Sequence, residues 1–148
     1  MIKNIPNKYD AVTLLKKFDE RHKDRYDFFH LPWDFSNTCN RGYAFMNFTH
    51  PVYVLDFYDE FNGKSWKEEF INSKKVVALT YASTQGKQSN YDFYKEKEIM
   101  KCSTYAPKFW ERAPPNEQDV NEVRNKFYQQ YMAASSFQMG GPLSGPLP

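Results

Sequence analysis

Between Met1 and Ala82 the chain alternates between two spacings of apolar residues, every second position and every third or fourth, which mark strands and helices respectively. MIKNIP sets Ile2 and Ile5 among polar residues and stops at a proline, which predicts a short strand running into a turn. This strand starts at the first residue, so the segment is either an excerpt of a longer chain or a sheet with a trimmed edge. From Asp10, a suitable N-cap, Ala11, Leu14, Leu15 and Phe18 form the stripe of an amphipathic helix, with Lys16, Lys17 and Asp19 outside it. YDFFHLPWDF is rich in aromatics and predicts a strand over 26–31, and SNTCN follows as a polar loop.

The octamer RGYAFMNF, residues 41–48, predicts another strand. Gly42, Ala44, Met46 and Phe48 then share one face, small or apolar throughout, and Arg41, Tyr43, Phe45 and Asn47 share the other. The second face mixes two aromatics with a guanidinium and an amide, groups that are costly to bury without partners. In THPVYVLDFYDEFNGK, Pro51 suits a helix start, Val54, Leu55, Tyr58 and Phe61 make an apolar stripe whose aromatics Tyr58 and Phe61 are assigned to the core, and Asn62 with Gly63 is a stop signal. SWKEEFINS reads as an irregular connector. KKVVALTYA is β-branched enough for a last strand, with Val77, Leu79 and Tyr81 facing inward and Ala78, Thr80 and Ala82 outward.

Strand, helix, strand, strand, helix, strand is the split βαβ order, an α+β, ferredoxin-like βαββαβ sandwich: a four-stranded antiparallel sheet with both helices on one face. The other face is left open, which accommodates the mixed side of the octamer. After a core of residues 1–84, a third helix is expected over 87–101 as part of the same domain. Residues 102–115 read as a proline-punctuated linker, 116–134 as an amphipathic helix carrying Val120, Val123, Phe127 and Tyr131, and 135–148 as a flexible tail.

Aromatic residues make up 18% of the chain, more than a core of 148 residues obviously needs, so some are available to surfaces. The net charge of +2 and pI of 8.4 neither advertise nor exclude a nucleic-acid partner. Cys39 and Cys102 allow one disulfide at most. With His22, His30 and His50 scattered and no CxxC pair, no zinc or other cofactor is expected. The N-terminus lacks a signal peptide's apolar stretch and no run of 18 apolar residues occurs, so an intracellular compartment, nucleus or cytoplasm, is expected, with no membrane partner.

Arg41, Gly42, Tyr43, Ala44, Phe45, Met46, Asn47 and Phe48 match the octamer K/R-G-F/Y-G/A-F-V-x-F/Y of the RNA recognition motif at every position once Met46 is allowed for Val. More narrowly, MIKNIPNKY, YDFFHLPWDFSNTCNRGYAFMNF, FNGKSW and TYASTQGK resemble the C-terminal RNA recognition motif of the Mei-two-like meiosis regulators, over roughly residues 1–101. The resemblance implies single-stranded RNA binding in the control of gene expression, and an extra helix after the last strand. Two flat rings, Tyr43 and Phe45, would stack on unpaired bases, at about 1–3 kcal/mol per base, which alone supports binding no tighter than tens of micromolar. Arg41 and Lys3 would meet phosphates. Met1 stands where most such domains offer a third aromatic, Thr80 would read base edges at the rim, and Asn47 and Phe29 complete the candidate set.

Bland readings stand beside these. A third helix or tail folded over the sheet would turn Tyr43 and Phe45 into packing residues; independently, Arg41 reads as a solvated strand end with an acidic partner and Lys3 as a plain surface lysine. A bulge would send Phe29 into the core, and the Asn47 amide would pair with a neighbouring side chain. Two functions compete accordingly. One is a non-catalytic module that binds single-stranded RNA, in post-transcriptional regulation. The other is a protein-interaction module of the same fold with an occluded sheet and a protein partner on residues 102–148. Catalysis is not expected, since no nucleophile elbow, P-loop or spaced acid and His set is present.

Overall fold

The computed structural model describes residues 1–66 and 72–139. Along the chain lie β1 (Ile2–Lys3), α1 (Ala11–His22), β2 (Tyr26–His30), β3 (Trp33–Asp34), β4 (Cys39–Asn40), β5 (Tyr43–Phe48), α2 (Pro51–Phe61), β6 (Ala78–Leu79), α3 (Lys87–Tyr94), β7 (Lys108–Phe109) and α4 (Glu117–Met139). Residues Met1–Pro115 form one compact unit and a second starts at Asn116.

Local chemistry sets the helix ends. The Asp10 carboxylate accepts from the Thr13 amide at 2.8 Å and opens α1, whose Leu14 and Phe18 are buried as the stripe predicts. The His50 imidazole caps α2 through the Val52 amide at 3.1 Å, with Pro51 in the first turn. Both helices pack on the back of the sheet. Phe18 meets Phe57 and Phe61 edge-on at 5.1 and 5.3 Å, and the core closes with Ile2, Ile5, Tyr9, Phe29, Leu31, Ala44, Trp66 and Val77.

The sheet runs β6-β1-β5-β2-β7, antiparallel throughout, with β3 and β4 as a separate small hairpin. The ferredoxin-like core is therefore present, but a fifth strand, β7, joins the outer edge of β2 where a linker was expected. Phe109 and Lys108 pair with Phe28 and Phe29, the Trp110 amide donates to the Asp27 carbonyl at 3.0 Å, and the Arg112 guanidinium donates to the Tyr26 carbonyl at 2.9 Å. The rings Phe109 and Trp110 lie 5.0 and 5.4 Å from Phe28 and Tyr26, so burial of aromatic area holds this segment down.

Other expectations also shift. Helix α3 ends at Tyr94 rather than 101, followed by a single 3₁₀ turn over Glu98–Lys101. β6 pairs only at Ala78 and Leu79, because the Val77 amide and carbonyl are taken by Lys64 and Gly63 at 2.8 Å each, and the Asn62 side chain accepts from the Leu79 amide. Past Thr80, whose amide still donates to the Met1 carbonyl, the strand phase is lost. Tyr81, expected inward, is 87% exposed, and Tyr58 sits half exposed on α2 although Phe61 is buried. The connector over 67–71 and the tail from 140 onward lie outside the described residues.

In the second unit, α4 reaches Met139, beyond the expected 134. The Asn116 carboxamide caps it, accepting from the Gln118 and Asp119 amides at 2.8 and 3.2 Å.

Candidate nucleic-acid interface

Gly42 and Asn40 aim the octamer. Gly42 takes φ +87°, the left-handed region that disfavours a Cβ, and its amide donates to Asn40 Oδ1 at 2.7 Å. Asn40, itself buried, donates to the carbonyls of Pro6 and Tyr9 at 2.9 and 2.8 Å, so the entry to β5 is tied to the end of β1. The Ile5 amide closes the loop on the Gly42 carbonyl at 2.9 Å.

The register then fixes which side chains share the front face, the one away from α1 and α2. Ile2, Ala44 and Leu79 are paired across three strands and point into the core. Lys3, Tyr43 and Ala78 form the adjacent front row. One step the other way, Met1, Phe45 and Thr80 form a second front row, with the Thr80 amide donating to the Met1 carbonyl at 3.0 Å. Tyr43 and Phe45 are partly exposed and lie edge to face, with centroids 5.7 Å apart. Five of the eight candidates, Tyr43, Phe45, Lys3, Met1 and Thr80, thus share one patch over β1, β5 and β6.

Arg41 stands at the patch's lower corner, exposed, with Nε donating to the Trp33 carbonyl at 3.3 Å. Asp34 is close enough to feel its charge. The Asp34 carboxyl is held below its ordinary pKa, first by hydrogen bonds from Asn37 and least by Arg41.

The same front face is closed over β2. A register shift between Tyr26 and Phe28 turns Phe28 and His30 forward, opposite Asn47 and Phe45, and Phe29 backward, opposite Met46. Phe29 is 0% exposed in the helix-facing core, so it is no contact for a ligand on the front face, contrary to the expectation. Phe28 and His30 are buried under Tyr94 of α3, with ring centroids at 6.1 and 5.0 Å, and Phe109 covers Phe28 from the side. Burial pushes the His30 imidazole down to about 4, and its Nδ1 has no partner among the described residues.

Asn47 belongs to this closed half as well. Its Nδ2 donates to Asp27 Oδ1 at 2.8 Å and its Oδ1 accepts from the Gly86 amide at 3.2 Å, where Gly86, at φ +88°, begins α3. The amide is spent on holding the extension, which corrects its assignment to base contact. Tyr94, the ring that closes β2, went unpredicted. The signal for it was present in the Asn90 and Tyr94 pair four residues apart on one helix face, and in the adjacent Phe109 and Trp110.

A ferredoxin-like antiparallel sheet that carries this octamer on a central strand defines an RNA recognition domain, a class whose general activity is RNA binding rather than catalysis. Residues 1–95 match the model of RNA recognition motif 2, and the chain belongs to that family. It is 50% identical over 100 residues to Protein MEI2-like 4 of Oryza sativa subsp. japonica, covering 68% of this chain and 10% of that protein. It is 43% identical over 133 residues to Protein MEI2-like 3 of the same plant, covering 85% and 14%, and 41% identical over 123 residues to Protein MEI2-like 5 of Arabidopsis thaliana, covering 83% and 15%. The chain therefore spans a small part of each of these relatives. Among the described residues no helix is long and apolar enough to cross a membrane, and no group of three or more His, Cys, Asp or Glu is placed to hold a metal ion.

Proposed function

We propose that this domain binds single-stranded RNA by stacking unpaired bases on Tyr43 and Phe45, and that it serves post-transcriptional regulation in the nucleus or cytoplasm without catalysing a reaction on the RNA. One observation carries the reading: two rings stand side by side on a rigid strand, partly open to solvent, in rows with Lys3, Met1 and Thr80. Unpaired bases offer π-faces to such rings, and a sheet holds the rings at low entropic cost. Lys3 and Arg41 supply charge for the phosphates, while Met1 adds an apolar surface lacking a ring and Thr80 a hydroxyl at the rim.

The competing protein-interaction reading requires a sheet face covered throughout, whereas α3 covers the β2 side and leaves Tyr43 and Phe45 partly exposed. A protein partner expected on residues 102–148 is now proposed for α4 alone. Residues 108–112 are bonded into the sheet, while Tyr128 and Tyr131 are exposed along the helix.

The test is a fluorescence anisotropy titration of the full chain with a labelled pool of short single-stranded RNAs. Replacing both rings, Tyr43→Ala with Phe45→Ala, is expected to remove about 2–6 kcal/mol of binding, roughly 30- to 20,000-fold. A folded double variant that binds the pool as tightly as the parent chain refutes the proposal.

A further inference from the structure

Helix α3 places its aromatic residues asymmetrically. Asn90 is buried and Tyr94, four residues on, packs against Phe28 and His30, so these two mark the line that faces the sheet. Tyr91 reaches Phe109 of β7, with centroids 5.5 Å apart, and Lys87 pairs with Glu111 at 2.6 Å. The β7 side of the helix is thereby identified. With about 3.6 residues per turn, Phe93 falls on the opposite side of that line, toward β5 and the open half of the sheet.

Phe93 is 53% exposed, and its ring meets Tyr94 edge-on at 4.8 Å, which fixes it without covering it. The Lys97 ammonium lies 4.2 Å from the ring centroid and meets no carboxylate among the described residues, unlike Lys95 and Lys101, which pair with Asp92 and Glu98. The foot of α3 also borders the open patch, since Tyr94 packs on His30, which is paired with Phe45 across β2 and β5. The Tyr94 hydroxyl is raised from its ordinary pKa by burial and, secondarily, by the Tyr43 hydroxyl.

We infer that Phe93 and Lys97 form a wall beside the Tyr43 and Phe45 floor and hold a further nucleotide of a bound single strand, Phe93 against its base and Lys97 against its phosphate. This rests on the stacking reading of the floor and extends it. The sheet surface beyond β5 is closed by Tyr94, so a strand leaving the floor on that side meets α3 rather than β2. A half-open ring with an ammonium over one face offers that nucleotide a stacking surface on the other face and a counter-charge beside it. On this account the extension closes one half of the sheet and adds binding surface to the other.

Phe93→Ala and Lys97→Ala in the full chain, titrated with a fluorescein-labelled single-stranded RNA of mixed sequence at several salt concentrations, test the wall. Phe93→Ala is expected to weaken binding about 5- to 150-fold, and Lys97→Ala a few-fold with a salt slope shallower by about 0.7. Phe93→Leu keeps apolar bulk against Tyr94 but lacks a π-face, so it is expected to weaken binding too, and it serves if the alanine variant fails to fold. Parental affinity in a folded Phe93→Ala or Phe93→Leu chain overturns the wall. If Tyr43→Ala with Phe45→Ala still abolishes binding in that case, only the wall falls; if it does not, the floor falls with it.

Discussion

The front of the sheet has two halves with similar rings and opposite fates. Over β1, β5 and β6, Tyr43 and Phe45 stay partly open; over β2, Phe28 and His30 are sealed beneath Tyr94 and beside Phe109. Composition does not separate them, since both rows belong to aromatic strands. What separates them is the reach of the extension, which is pinned at Gly86 by the Asn47 side chain and at β7 by backbone pairing. An aromatic on an RNA recognition sheet is thus left open to solvent or buried as a packing residue according to what the following segment covers.

The largest expected contrast is in stability. Phe28→Ala empties a buried site and is expected to cost about 3–5 kcal/mol in urea denaturation, whereas Phe45→Ala, cut from a partly exposed site, should cost well under half of that. Equal losses would mean that the two halves are covered alike.

His30 gives a smaller, pH-dependent contrast. Its folded pKa of about 4 lies below the ordinary 6.5, so protonation favours the unfolded chain. Stability is complete above about pH 6.5 and drains as the pH falls toward 4. Between pH 7 and 4.5 the parent chain should lose about 2–3 kcal/mol more than His30→Phe, with His22 common to both. Parallel pH profiles for the two chains would place the His30 ring in contact with water.

Lys3 should show the smallest effect. Lys3→Ala is expected to leave the melting temperature unchanged, to weaken RNA binding a few-fold and to lower the salt slope by about 0.7. An unchanged slope would make Lys3 the plain surface lysine of the bland reading.

Much of this frame was legible from spacing alone. The α1 stripe, the proline and Asn-Gly bounds of α2 and the two-sided octamer each have one polar and one apolar face, so their phase is set by the residues themselves. β2 is aromatic on both faces, and nothing in YDFFH says where the bulge falls; Phe29 was therefore misplaced and Phe28 overlooked. By its sequence the Asn47 amide could serve a base or a neighbour equally well, and only the folded chain brings the Gly86 amide beside it. Strand β7 is only two residues long, stabilised by long-range contacts of Phe109, Trp110 and Arg112, and such contacts leave no local period.

The most direct test of the two-halves account is an NMR titration of the chain with a short single-stranded RNA, following the aromatic side-chain signals. Ring-current shifts are expected at Tyr43 and Phe45, with Phe28 and His30 left in place. Large shifts at Phe28 and His30, with Tyr43 and Phe45 unmoved, would contradict it.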